Sequence, residues 1–126
     1  MADPAAVSAR FVLLQTNYWA AEDPAVVRAR WTPYLVERMA EDLAASSGGI
    51  AALADLRAKD AVLVGDILGV TVVERSSSRA SVAVTVRRSV VADGSTVRPA
   101  RIDPWLVEVV LAPATGHWLV AGVERL

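Results

Sequence analysis

Apolar residues recur at helical spacing near the start of the chain. They fall three or four positions apart, which indicates one buried face of a helix: Val7, Phe11, Leu14 and Tyr18. Asp3-Pro4 precedes this face, and an Asp N-cap followed by a first-turn Pro is typical of a helix start. We therefore predict a first helix that runs from Pro4 to about Ala21.

The same start signal occurs twice more. Asp23-Pro24 predicts a short helix that ends at about Trp31, and Thr32-Pro33 predicts a third helix directly after it. The apolar residues of this third helix align every four positions: Leu35, Met39 and Leu43. Its end is predicted at Ser46–Gly49, and residues 50–59 are expected to form one more short helix or a loop.

After residue 60 the pattern changes to that of strands. In Arg79–Ala92 four valines alternate with other residues and point to one face, as in a half-buried strand: Val82, Val84, Val86 and Val90. The preceding segment, Ala61–Glu74, is apolar on both faces. We predict that it is a strand with bends or bulges at Gly65 and Gly69.

Two further strands are predicted, Ile102–Ala112 and His117–Arg125. The connecting turns are short and rich in Ser, Gly, Asp and Pro: Arg75–Ser78, Ala92–Ser95 and Pro113–Gly116. Short turns make consecutive strands antiparallel neighbours. We therefore predict one α+β domain over residues 1–126, with N-terminal helices packed on a curved antiparallel four-stranded sheet.

Composition and charge narrow the classes of function. The 126 residues are 54% hydrophobic, which is ample for one core. Lys plus Arg is 13 and Asp plus Glu is 14, and this balance argues against a nucleic-acid partner. The absence of cysteine excludes disulfides and thiolate chemistry. No apolar run reaches the ~18 residues of a membrane-spanning helix, and the first residues lack the basic region of a signal peptide.

Asp66 is the candidate catalytic residue. On a strand it would share a face with Val62, Val64, Leu68 and Val70. Burial of that face would favour the protonated carboxyl group and suit Asp66 to general acid or base catalysis. The interpretation that we favour is a bulge that turns Asp66 outward, or a paired structural Asp.

The other polar candidates are interpreted as structural. His117 is the only histidine, so a zinc site is not expected, and we interpret it as a turn residue with one wet face. Asp103 precedes Pro104 and is read as a strand-entry residue. Four arginines are either a patch for an acidic partner or lipid headgroup, or charges that protect a sheet edge, which we prefer: Arg87, Arg88, Arg98 and Arg101. We expect no cofactor and no metal.

Aromatic side chains are the candidates for a pocket or partner-binding surface. They are Tyr18, Trp31, Tyr34 and Trp105. Large aromatics usually fill a core, which is the preferred interpretation for these residues and for Trp19 and Trp118, but they also line concavities and anchor partners.

The chain resembles the nuclear transport factor 2-like superfamily. The order of helices and strands, closing with Gly116-His117-Trp118-Leu119-Val120, is similar to its members, which often end on a strand reading Gly-x-Trp-x-Val. The resemblance covers nearly the whole chain. It implies a cone-shaped half-barrel with a pocket between the sheet and the long helix.

Four further segments look like two families within that superfamily: Ala9-Arg10-Phe11-Val12 with Tyr18-Trp19, then Asp23-Pro24 and Pro33-Tyr34-Leu35. One family is the TcpC-like conjugal transfer proteins, whose extracytoplasmic domains resemble the bridging component of type IV secretion. The other is the actinobacterial Mce-associated membrane proteins. Both carry a transmembrane helix before the domain, and neither supplies catalytic residues.

The resemblance implies a non-catalytic assembly domain of a conjugation (type IV secretion-like) or cell-envelope transport machine. Its expected partners are proteins of a membrane-associated complex and further copies of itself. Its expected location is the extracytoplasmic face of the cell membrane if the chain was cut from an anchored protein, and the cytoplasm otherwise. The alternative is a small cone-pocket enzyme or ligand-binding protein, isomerase-, cyclase- or hydrolase-like. It would use Asp66 beside Tyr18 or Tyr34 and an apolar ligand in the pocket.

Overall fold

The computed structural model describes residues 3–19, 22–45, 61–92 and 95–125. In chain order the elements are α1 (Pro4–Thr16), β1 (Tyr18–Trp19), α2 (Pro24–Trp31), a 3₁₀ turn (Thr32–Tyr34), α3 (Glu37–Ala45), β2 (Val62–Arg75), β3 (Arg79–Ala92), β4 (Ser95–Ala112) and β5 (His117–Arg125). The features predicted at residues 46–59 and at Asp93-Gly94 lie outside the described residues.

The strands form one antiparallel sheet whose order follows the chain, β1-β2-β3-β4-β5. The sheet curls into a half-barrel, and α1 packs inside it against β2, β3, β4 and β5. The α+β class and the curved antiparallel sheet are confirmed. The predicted number of strands is wrong, because the described sheet has five strands rather than four.

The additional strand arises because α1 ends at Thr16, before the predicted end at Ala21. Thr16 Oγ1 donates to the Val12 carbonyl oxygen at 2.7 Å, and Asn17 Nδ2 donates to the Leu13 carbonyl oxygen at 2.8 Å. These side chains satisfy carbonyl groups that another helical turn would otherwise bond. The helix therefore ends there, and the chain is free to continue as a strand.

Asn17 also attaches this end of α1 to the sheet. Its Oδ1 accepts from the Gly65 backbone nitrogen at 2.9 Å, and its Nδ2 donates to the Gly65 carbonyl oxygen at 2.9 Å. The side-chain amide thus bonds one residue of β2 as a neighbouring strand would. Tyr18 and Trp19 follow and pair with Leu63 and Val62 as β1.

The helix starts were predicted with mixed success. Asp3 caps α1, with its Oδ1 accepting from the Ala5 nitrogen at 3.0 Å, and α2 spans Pro24–Trp31 as predicted. The third helix begins at Glu37 and not at Thr32-Pro33. Between them Leu35 is extended and bridges to Val120, since hydrogen bonding to the sheet replaces a helical turn there.

The predicted bounds of the strands agree better with the structure than the predicted helix starts do. β3 and β5 have the predicted bounds, β2 is displaced by one residue, and β4 begins at Ser95 rather than Ile102. The register between β2 and β3 shifts at two places, leaving Leu68 and Val73 as bulged residues. Gly69 adjoins the first bulge. The register is continuous through Gly65, so the bulge predicted there is absent.

The core lies between α1 and the inner face of the sheet. Alternate residues of β3 and β4 point inward, as the period of two requires. The central buried side chains are Val7, Phe11 and Val12 from α1, Val82, Val84 and Val86 from β3, and Trp105, Val107 and Val109 from β4. Each large apolar side chain buried here contributes about 1.5–3 kcal/mol to folding.

Among the described helices, none has the length and apolar character required to span a membrane.

Candidate functional site

Asp66 lies on the outer face of the sheet. Its register partner is Arg87, its side chain is 63% exposed, and Arg87 Nη2 lies 3.9 Å from Asp66 Oδ2. Antiparallel partners share a face. Tyr18 pairs with Leu63, which packs against buried Val90, so Tyr18 faces inward. The structure therefore places Asp66 and Tyr18 on opposite faces of the sheet.

Asp66 faces outward, as the favoured interpretation had it, but it does not share that face with Val70. Asp66 pairs with Arg87 on the outer side, whereas Val70 pairs with buried Val84 on the inner side. The extra residue at the Leu68 bulge reverses the direction of the side chains that follow it, up to the second bulge at Val73. Asp66 and Val70 consequently do not share a face. Tyr34 packs against the inner core, so Asp66 does not join it either.

The four predicted aromatic residues belong to the core. Trp31 and Trp105 are buried, while Tyr18 and Tyr34 are partly buried against the same cluster. The Tyr18 and Trp31 rings meet edge to face with centroids 6.5 Å apart, and Trp31 Nε1 donates to the Leu14 carbonyl oxygen at 3.1 Å. In this arrangement they fill the space between α1, α2 and the sheet, and Trp31 and Trp105 offer little surface to a partner.

Five large apolar side chains of β1 and β2 are exposed instead, among them Val72 at 37%. We call the four most exposed the β2 strip: Trp19, Val62, Leu68 and Val73, which are between 41% and 57% exposed. Trp19 and Val62 are register partners, and Leu68 and Val73 are the two bulged residues of β2. β1 pairs only with Val62 and Leu63, so no described strand lies beside the remainder of β2.

Sequence reasoning missed this strip as a surface. Trp19 was grouped with the aromatic residues expected to fill the core, but its pairing with Val62 directs it outward. One signal was present, since Ala61–Glu74 is apolar on both faces although a half-buried strand needs only one apolar face. Which of the two faces lacks cover depends on the helices that pack on the sheet.

The predicted arginine patch is divided by the sheet. Arg87 faces outward beside Asp66, whereas Arg88 faces inward. Arg88 and Arg101 are register partners, and both lie beside Asp103, which is buried. We call these three residues the inner-face cluster. The Arg98 side chain lies outside the described part of the chain.

Hydrogen bonds in the inner-face cluster are unevenly shared. Asp103 Oδ2 accepts from Arg88 Nε at 2.6 Å and also contacts Arg88 Nη2. Arg101 Nη2 lies 3.7 Å from Asp103 Oδ1, which is beyond hydrogen-bond distance. Asp103 is thus structural, as predicted, but it neutralises Arg88 rather than beginning a strand. β4 already extends to Ser95 on its N-terminal side.

A second ion pair lies near the β2 strip. Glu22 Oε2 accepts from Arg30 Nη1 at 3.0 Å and from the Trp19 backbone nitrogen at 3.3 Å. The Arg30 hydrogen bond is the main cause that holds the pKa of the Glu22 carboxyl below its ordinary value of 4.5. The pair links the last turn of α2 to β1 and so helps to position Trp19.

His117 stands at the first position of β5 and is exposed. Its backbone nitrogen donates to Thr115 Oγ1 at 3.3 Å across the turn that ends at Gly116, whose φ of 71° suits glycine. This position is the turn residue with a wet face that was predicted.

Comparisons of the chain with protein-family models, curated proteins and solved structures found no match.

Proposed function

We propose that the protein is a non-catalytic assembly domain that binds other proteins through the β2 strip. The observation that carries this proposal is the alignment of four large apolar side chains, each more than two-fifths exposed, along one strand and its short neighbour. Exposed apolar residues that are scattered singly need no explanation, but several on an edge strand without a described neighbour favour association with another chain. Covering them gains about 25 cal/mol for each Å² of apolar surface removed from water.

The occupant that we propose first is a second copy of the chain. β2 has no described strand on its free side beyond Leu63, so the same edge of a second copy can pair with it. A two-fold axis between Val70 and Thr71 would place Leu68 against Val73 of the second copy. Such a self-complementary surface is what a symmetric dimer requires.

The wider setting that we propose is a membrane-associated machine for conjugation or cell-envelope transport. Its support is the resemblance carried by the Gly116–Val120 strand and by the Tyr18-Trp19 segment. The small cone-pocket enzyme finds no support in the position of Asp66, whose exposed carboxylate is separated by the sheet from Tyr18 and Tyr34.

The test is the concentration dependence of molar mass, measured by light scattering after size exclusion. We expect the natural chain to form dimers as concentration rises, and Leu68→Asp and Val73→Asp to remain monomeric. Val26→Asp is the matched control, because Val26 is 50% exposed on α2 and lies outside the strip.

Dimers in the strip variants, or a natural chain that stays monomeric at every concentration, would exclude the second copy as the occupant. Far-ultraviolet circular dichroism of each variant establishes that it is folded. Capture of envelope proteins by the natural chain but not by Leu68→Asp would support the wider setting.

A further inference from the structure

The inner-face cluster carries an inference that is independent of the β2 strip. We propose that Arg101, with the Arg88–Asp103 pair beneath it, binds the oxyanion of a small ligand, either a carboxylate or a phosphate group. The ladder between β4 and β5 ends at the pair Trp105–Arg125. Arg101 and Asp103 therefore belong to the part of β4 that has no described strand on its far side.

The first argument is charge. Arg88 and Arg101 stand directly opposite each other on neighbouring strands, and like charges in that position repel. Asp103 supplies one negative charge for the two guanidinium groups, so the three described side chains keep a net charge of +1. An anion bound between the guanidinium groups would remove this repulsion.

The second argument is hydrogen-bonding capacity. Arg88 uses two of its nitrogen atoms on Asp103. The Arg101 side chain is 74% exposed, and no hydrogen bond from its guanidinium group is found among the described residues. A guanidinium group carries five N–H donors in a planar fork that matches carboxylate and phosphate oxygens. Arg101 therefore has donors available in the geometry that an oxyanion needs.

The third argument is rigidity. The Arg88 side chain is 25% exposed and is held by its two contacts with buried Asp103, so its position is set before any ligand arrives. Val86, the register partner of Asp103, is fully buried, so the cluster stands at the edge of the packed core and its exposed part is Arg101. The cluster thus suits a small oxyanion that binds at the surface.

The experiment is isothermal titration of the full chain with two probes, inorganic phosphate and acetate. Binding of acetate that is tighter than that of phosphate would identify a carboxylate, and the reverse order a phosphate. We expect Arg101→Gln to weaken binding of the preferred probe about tenfold, as loss of a charged hydrogen bond does. Arg87→Gln is the matched control, because Arg87 is the sequence neighbour of Arg88 on the opposite face.

Asp103→Asn should change the affinity for the probe in the opposite direction to Arg101→Gln. It raises the net charge of the three side chains from +1 to +2, so an anion site would bind its probe more tightly. A purely structural ion pair would only lose stability. The proposal is overturned if neither probe binds or if Arg101→Gln binds like Arg87→Gln. It is also overturned if only vesicles of anionic lipid bind, which would indicate a membrane surface. Because Arg101 is exposed, its substitution leaves the fold intact should Asp103→Asn not fold.

Discussion

Gly65 is the residue at which the contact between α1 and the sheet is closest. A Cβ atom at this position would lie 2.2 Å from Thr16 Oγ1 and 2.6 Å from Thr16 Cβ. Thr16 is itself buried and bonded to the Val12 carbonyl oxygen, so it has no room to move aside. The backbone groups of Gly65 also bond Asn17. Only glycine allows the end of α1 to approach β2 this closely.

We therefore expect Gly65→Ala to lower the free energy of unfolding by about 1–3 kcal/mol, the usual cost of overpacking. Gly69→Ala is the control, because a Cβ there meets no atom within 4 Å. Alanine is also favoured over glycine in a strand by about 0.5–1 kcal/mol, so the control should be neutral or slightly stabilising. Urea unfolding of both variants measures the difference. Equal effects of the two substitutions would contradict this account of Gly65.

Gly65 and Gly69 have different structural roles, although the sequence predicts the same role for both. Both interrupt the same apolar strand, and both were given the same prediction, a bend or bulge. In the structure one adjoins a bulge and the other accommodates α1. Nothing near Gly65 in the chain indicates the difference, because its neighbour Asn17 is 48 residues away along the sequence.

Among the elements, the connection between β1 and α2 depends on the Glu22–Arg30 pair. Glu22 accepts hydrogen bonds from Arg30 and from the Trp19 backbone, which ties α2 to the first strand. The pair is largely at the surface, and exposed ion pairs contribute little to stability. Its effect should therefore be measurable mainly through its pH dependence.

The direction of this dependence of stability on pH follows from the lowered pKa of the Glu22 carboxyl in the folded chain. A carboxyl whose pKa is depressed by folding adds stability above its unfolded value, and this contribution disappears as pH falls through the folded value. We expect the natural chain to be slightly more stable than Glu22→Gln at neutral pH. The difference should shrink as pH falls below the ordinary value of 4.5.

Denaturant unfolding of both proteins from neutral to acidic pH measures this difference. Added salt should reduce it at neutral pH, because salt screens exposed charges. A difference that grows on acidification would contradict the role assigned to Glu22.

Across the whole molecule, the curled sheet sorts the four tryptophans into two environments. Trp31, Trp105 and Trp118 are buried inside the half-barrel, whereas Trp19 is 44% exposed on the outside. The sequence pattern does not separate these two environments. Trp19 is thus a natural reporter of the β2 strip.

We expect iodide to quench mainly Trp19, so Trp19→Phe should lose most of the quenchable fluorescence. If the strip is an assembly surface, quenching of the natural chain should decrease as protein concentration rises, because a partner copy covers Trp19. Leu68→Asp provides the comparison, since its quenching should not depend on concentration. Quenching that is unchanged by Trp19→Phe would show that a buried tryptophan is accessible in solution.

Local patterns in the sequence were sufficient for much of the fold. The alternation of valines determined β3, and the Asp-Pro pairs determined the starts of α1 and α2, because periodicity and capping involve residues only a few positions apart. The α+β class follows from the order of these elements. The aromatic candidates Tyr18, Trp31, Tyr34 and Trp105 were also identified as apolar residues suited to a core.

The tertiary structure alone decided the end of α1, the existence of β1, the separation of Asp66 from the face of Val70 and the identity of the exposed strip. Each depends on contacts between segments far apart in the chain: Asn17 with Gly65, Tyr18 with Leu63, and α1 with the inner face of the sheet. A single bulge at Leu68 reverses the faces of the residues that follow it. Sequence periodicity shows that a strand has two faces, but only packing determines which face is covered.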